Sequence, residues 1–364
     1  MRILVPSVLS LCVLVFCVVP AFSQTSPEEY FDKGVETMKS GRYKDSIPFF
    51  DEAINLDSNL VEAYIARSKA RSNNQADLPG ALEDLNTALL LAPRNGEIFF
   101  ERALILNSMI GRMIKENGGM RSDELKPYHS AVLRDIDSAI TYGFVNERSF
   151  SARAGFLLRN FERVKEAIDD YTRAIQYDPF DLDLLMSRAH ARRLNEDYEG
   201  AEKDLLEVVE RFEESKSAGK LAPAKLAEMK STVVMALNNL SSIYALAERP
   251  DRQMWSIEKS IALDPTPMAY ISLARQKMIY GNLDESLADY TKAIEMTDGN
   301  RGQFYMDRGI VFLLKEMPRE AAADFETGRK IEPRLERWNV KYWFELAKRQ
   351  REQRTVKVEL PTGN

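Results

Sequence analysis

Cysteine is almost missing from this chain. Its two examples in 364 residues, Cys12 and Cys17, both lie in an apolar run at the N-terminus. Once that run is removed, no disulfide can form and no thiol nucleophile is on offer. Histidine is as scarce, and His129 and His190 stand too far apart in the chain, with no cysteine beside them, to assemble a usual zinc set. There is no Gly-x-Ser-x-Gly elbow, no phosphate loop ending in Lys-Ser/Thr and no Gly-x-Gly-x-x-Gly after a strand. Gly118-Gly119 reads as a helix stop instead. No basic block is interleaved with aromatics: 50 basic and 56 acidic residues are mixed along the chain, with a formal net charge of −6, which argues against nucleic acid as a partner. Adjacent acids such as Asp169-Asp170 point in different directions on a helix and read as solvated faces. An enzyme, a metal site and a bound cofactor are therefore not expected.

The N-terminus itself is informative. Met1-Arg2, an apolar run over residues 3–19, Pro20 and the small-residue site Ala21-Phe22-Ser23 form the pattern of a secretory signal peptide over residues 1–23, with a mature chain starting at Gln24. Retention as an anchor is the alternative, but Pro6, Ser7 and Ser10 interrupt the run. Leu14, Val15 and Phe16 before Cys17 are too large for a lipid-modified cysteine. The expectation is export to a bacterial periplasm or the exterior. After cleavage no apolar stretch approaches the length of a membrane span, so membrane contact is not expected.

What the chain does have is a repeat. Ala53-Ile54, Ala88-Leu89, Ala139-Ile140, Ala174-Ile175, Ser260-Ile261 and Ala293-Ile294 share one pattern, completed by the weaker copies Val208-Val209 and Gly328-Arg329; successive steps are 35, 51, 35, 34, 52, 33 and 35 residues. The period is close to 34, and the two long steps carry insertions. Three residues before each anchor comes an apolar or aromatic residue, among them Phe50, Leu85, Tyr171, Tyr290 and Phe325, so that both share one helix face. Small residues at Gly34, Ala103, Gly155, Ala189 and Gly309 let a preceding helix approach. Pro93, Pro179, Pro265 and Pro333 end the units.

Such a helix–turn–helix unit resembles the tetratricopeptide repeat, whose small, aromatic and proline positions recur at this period. Residues 282–294 follow the pattern nearly throughout, whereas Arg249-Pro250-Asp251-Arg252-Gln253 departs most from it. The resemblance implies an all-α, right-handed superhelical solenoid over residues 24–335, with units at 27–60, 61–95, 96–147, 148–181, 182–215, 234–266, 267–301 and 302–335. One insertion lengthens the helices of the third repeat around Asn117-Gly118-Gly119, and the other lies between the fifth and sixth. After Pro333, Trp338, Tyr342, Leu346 and Arg349 fall on one stripe and read as a capping helix over 336–354, ahead of a loose tail at 355–364.

The resemblance further implies that the first helices line an inner groove that holds a peptide or protein partner. By register, Met235, Asn239, Met268, Ile271, Arg275, Met278, Met306 and Ile310 would form an adaptable, largely apolar stretch of that groove. Arg153, Arg159, His190 and Arg193 would offer an anionic group a clamp. The clamp by which some family members hold the acidic tails of chaperones is missing, since its positions carry Phe31, Val35, Ala66, Glu97 and Glu101. The reading is a non-catalytic protein-interaction scaffold. The alternative is a structural subunit that self-associates through the two helical insertions.

Overall fold

The computed structural model describes residues 26–73, 76–219, 222–337 and 339–359. The signal-peptide segment 1–23, Trp338 and residues 360–364 of the expected tail lie outside the described residues. Two compact units divide the chain, 1–144 and 145–364.

The first unit holds three antiparallel helix pairs: α1 (Pro27–Lys39) with α2 (Tyr43–Leu56), α3 (Val61–Ser72) with α4 (Leu78–Leu91), and α5 (Gly96–Glu116) with α6 (Ser122–Thr141). The second holds five: α7 (Glu147–Phe161) with α8 (Val164–Tyr177), α9 (Leu182–Leu194) with α10 (Tyr198–Ala218), α11 (Pro223–Leu246) with α12 (Pro250–Leu263), α13 (Pro267–Ile279) with α14 (Leu283–Glu295), and α15 (Gly302–Leu314) with α16 (Pro318–Ile331). A 3-10 segment, Pro333–Arg337, then leads into α17 (Val340–Glu359). Each unit is an all-α stack of helix pairs, and no strand occurs among the described residues.

Local chemistry sets the helix ends. Ser26, Asp77, Asn95, Asn146, Asp181, Asp197 and Thr266 accept hydrogen bonds from backbone N–H groups of the first turns of their helices, satisfying donors that a helix cannot pair internally. Pro27, Pro223, Pro250, Pro267 and Pro318 open helices where no N–H is needed. Between first and second helices the chain reverses through a left-handed residue. That residue is Gly41 or Gly281 in two repeats but Glu162, Glu196, Glu248 and Glu316 in four others.

Close approach of paired helices explains the small residues. A Cβ on Gly309 would lie 2.4 Å from the Phe325 ring, and one on Gly34 would lie 2.6 Å from the Phe50 ring. The ring three residues before each of these anchors thus occupies the space that the glycine leaves on the partner helix. The anchors Ala53, Ala88, Ala139, Ala174, Val208 and Ala293 are fully buried, as are Ser260 and Gly328.

The insertions add helical turns, not loops. In α5 and α6, Ile110, Leu125 and Val132 join the buried residues. Phe212 at the end of α10 packs in one cluster with Val233 of α11, against Leu226 and Met229. The terminal helix needs correction in two respects. It begins at Val340, because the preceding residues form the 3-10 segment that buries Leu335, and it continues through residues 355–359, which the sequence pattern assigns to a loose tail. Its packed face is also different. Ala347 is buried with Phe344 and Val340 against it, while Tyr342 is 56% exposed. A small residue at the contact lets the α17 backbone come close, which the bulky Tyr342–Leu346 stripe would prevent.

Candidate partner-binding face

Asp170 is the clearest departure from the sequence reading. It is buried, and its carboxylate accepts two hydrogen bonds from Arg153, Nε to Oδ2 and Nη2 to Oδ1, both at 2.7 Å. The solvated-face reading of Asp169-Asp170 therefore fails for its second member. Arg153 is a bidentate carboxylate clamp, but the carboxylate it holds is internal.

The same device recurs along the chain. Arg67 binds Asp84, Arg102 binds Asp135, Arg188 binds Asp204 and Arg308 binds Asp324, each through Nε and Nη2 at 2.7–3.2 Å. Lys277 meets Asp289 at 2.9 Å. In four repeats the guanidinium has a third contact, from Nη1 to the second helix of the preceding repeat: Asp51 at 2.6 Å, Asn86 at 3.2 Å, Thr172 at 3.3 Å and Thr291 at 2.9 Å. One planar five-donor head thus ties its own pair together and fixes it to the previous pair, which a lysine could not do in the same way. The signal was present in the sequence. An aspartate stands four residues before the anchor in six of eight repeats, and Arg67, Arg102, Arg153 and Arg188 repeat with the anchors' own steps of 35, 51 and 35.

The remaining basic candidates keep their exposure. Arg159, His190 and Arg193 lie at the surface, with the Arg193 Nη2 to His190 Nδ1 distance 3.4 Å. Partial burial and then the Arg193 charge hold the His190 imidazole below its ordinary value. It is neutral near pH 7 and adds no cation to a clamp.

The apolar candidates divide. Met235 and Met268 are 50% and 59% exposed, and Asn239 is exposed beside Met235 on α11. Ile271, Met278, Met306 and Ile310 are instead buried in the core of the last two repeats and are not open groove residues. Met306 of α15 packs on Gly328 of α16, whose missing side chain makes the room. Met278 and Ile310 are covered for another reason. The helix α17 packs across α13 and α15, the first helices of the last two repeats.

Between α17 and that face lies a cavity of about 320 Å³. Met278, Ile279 and Ile310 line it from below, and Trp343, Leu346, Ala347 and Gln350 from above. At its polar side Arg275 donates to Asp307 at 2.7 Å, and Gln303 donates to the same carboxylate at 2.9 Å. Burial pushes the neighbouring Tyr290 hydroxyl far up, so it stays protonated. Among the described residues no group of three His, Cys, Asp or Glu is placed to hold a metal ion, and no helix is long and apolar enough to cross a membrane.

A family model for the tetratricopeptide repeat matches residues 154–216, and the helix pairs on either side of that segment keep the same period. Residues 154–216 are thus tetratricopeptide repeat. No curated protein matches it. Solved structures similar to it include PilF of Pseudomonas aeruginosa, 12% identical over 67% of this chain and 94% of that one, with a TM-score of 0.46. A tetratricopeptide-repeat protein from Parabacteroides merdae is 14% identical over 82% of this chain and all of the other, with a TM-score of 0.43. YrrB, described as a repeat protein with an unusual peptide-binding site, is 16% identical over 54% of this chain and 92% of its own, with a TM-score of 0.37.

Proposed function

We propose that this protein is a non-catalytic scaffold that binds a helical or extended segment of another protein along the first-helix face of its second unit. The observation that carries this reading is the docking of α17 across α13 and α15: the face already takes a helix, supplied by the chain itself. Uncovered first-helix positions extend the surface, with Met235 and Asn239 on α11, Met268 on α13, and His190 and Arg193 on α9. Methionines adapt to differing side chains, and the polar residues among them orient a bound segment. The scaffold acts in the cell envelope or outside the cell; Arg2, the apolar run over 3–19 and Ala21-Phe22-Ser23 support export.

Photo-crosslinking in the native host tests this reading. A photoreactive residue at Met268 or Met235 should trap one discrete partner, and the same residue at exposed Lys292 on the second helix α14 should not. Equal capture from all three positions, or only self-crosslinks, would defeat the assignment; self-crosslinks would favour the structural-subunit reading. Intact mass of the fractionated protein tests export, with Gln24 as the expected first residue.

A further inference from the structure

The cleft beside α17 is open to solvent and measures about 320 Å³, at the small end of the roughly 300–1,000 Å³ range of ligand pockets. Its walls are held in place, because Ala347 of α17 is only 4% exposed and packs in the core of the last two repeats. Arg275 and Asp307 are the charged residues that line it, and they neutralise each other at 2.7 Å. A carboxylate entering the cleft would meet Asp307 and an ammonium group would meet Arg275, so a net charge of either sign is disfavoured. The polar wall nevertheless has bonding capacity left over. Arg275 commits Nη2 to Asp307, Gln303 commits one N–H of its amide, and each Asp307 oxygen accepts one of the two bonds it can take. Gln276 and Gln350 bring further amides to the same cleft. Donors and acceptors therefore stand side by side. A hydroxyl suits such a wall, since its oxygen accepts from a guanidinium or amide N–H while its proton goes to a carboxylate or amide oxygen.

We infer that this cleft binds a neutral saccharide unit, with ring hydroxyls bonded to the Arg275–Asp307–Gln303 group and the C–H face of the ring on Trp343 and the apolar floor. Trp343 lines the cleft and is 41% exposed, so its ring is accessible to a ligand. The face of an indole carries partial negative charge and takes weakly positive C–H groups. Hydroxyls on adjacent carbons can bridge the two members of the fixed ion pair without breaking it, and the pair is already oriented by its own bond. A backbone amide carries its donor and its acceptor on separate atoms and matches only part of this wall. The ligand is a small molecule held on residues other than the exposed positions Met235, Asn239 and Met268 of the proposed scaffold face, so the two readings stand or fall separately.

The test is calorimetric titration of the full-length protein with the neutral disaccharides maltose, cellobiose and diacetylchitobiose. Cellobiuronic acid and deacetylated chitobiose serve as charged counterparts, and trialanine as a peptide. At least one neutral disaccharide should bind with a Kd of about 1 mM or tighter, and its charged counterparts should bind at least about tenfold more weakly. Asp307→Asn should weaken the neutral ligand about tenfold, and Trp343→Ala should do the same, with thermal melts confirming that both variants fold. Gln350→Leu changes an exposed side chain that the core does not need and should weaken binding about threefold. Lys348→Ala, exposed on the same helix but outside the cleft, should change nothing. Failure of every neutral disaccharide to bind more tightly than about 10 mM overturns the inference, as does binding indifferent to Asp307→Asn, Trp343→Ala and Gln350→Leu. A charged sugar that binds more tightly than its neutral counterpart also overturns it. So does trialanine binding that exceeds every sugar and is lost in Asp307→Asn, which would make the cleft a peptide subsite.

Discussion

Replacing Arg308 with Met should unsettle the last repeat far more than its place on the helix surface suggests. The guanidinium holds Asp324 through two bonds of 2.8 Å and reaches Thr291 of α14 at 2.9 Å, and both charged side chains are largely buried, 17% and 9% exposed. Methionine keeps the aliphatic length but leaves the Asp324 carboxylate buried without its partner. Breaking one side of such a pair costs about 3–5 kcal/mol, whereas replacing both sides with apolar groups of similar size is close to neutral. R308M should therefore lose about 3–5 kcal/mol, D324L a smaller amount, and R308M/D324L less than R308M alone. The coupling in that cycle should be about 3 kcal/mol. Because a repeat array can open pair by pair, the assay is native-state hydrogen exchange of residues 302–331 alongside denaturant unfolding. A loss below about 1 kcal/mol for R308M, or a double variant no better than it, would show that the ladder of Arg–Asp pairs does not hold the repeats in register. Arg193→Met, at an exposed position, is the control and should change stability by less than about 0.5 kcal/mol.

Further outcomes follow from the same geometry. Gly309→Ala places a Cβ 2.4 Å from the Phe325 ring and should lose about 1–3 kcal/mol, with Phe325→Leu recovering part of it in a thermal melt. The Glu332 carboxylate is held below its ordinary value of 4.5, first by the Arg334 hydrogen bond and further by backbone N–H groups of Gly302 and Gln303 at the start of α15. Its stabilising contribution is complete above pH 4.5 and is lost as pH falls through the lower folded value, so α15 should exchange faster below that range. In Glu332→Gln this pH response should vanish, and an unchanged response would refute the capping role. Ser26→Ala removes the acceptor of the Glu29 N–H at 3.2 Å and should cost about 1 kcal/mol, seen as fraying of α1 alone in hydrogen exchange.

The helix pairs were legible because a buried anchor, an aromatic three residues before it and a small residue on the partner helix must recur wherever two helices approach this closely. The first helices begin at Pro27, Val61, Gly96, Glu147, Leu182, Pro223, Pro267 and Gly302. The insertions were legible as extra length, since spacing counts residues. Their packing as lengthened helices depends on Phe212 and Val233 entering one buried cluster from different helices. The candidate face was read less well. Helical register places Met235, Met268, Met278 and Ile310 on one side of the first helices, but register carries no information about what lies over that side.

Composition and periodicity alone determined that this chain is a helical array. That conclusion depends only on which residues exist and how far apart they recur. The tertiary structure decided which charges are internal and which surface is open. Asp170 and Glu213 are both helix-borne acids next to another acid in the sequence, yet Asp170 is buried because Arg153 on the neighbouring helix lies within 2.7 Å of it. Met268 and Met278 sit ten residues apart on one helix, and only the arrival of α17 from the end of the chain covers the second and leaves the first exposed. Burial is a property of neighbours brought together by folding, and no local pattern records which neighbour comes.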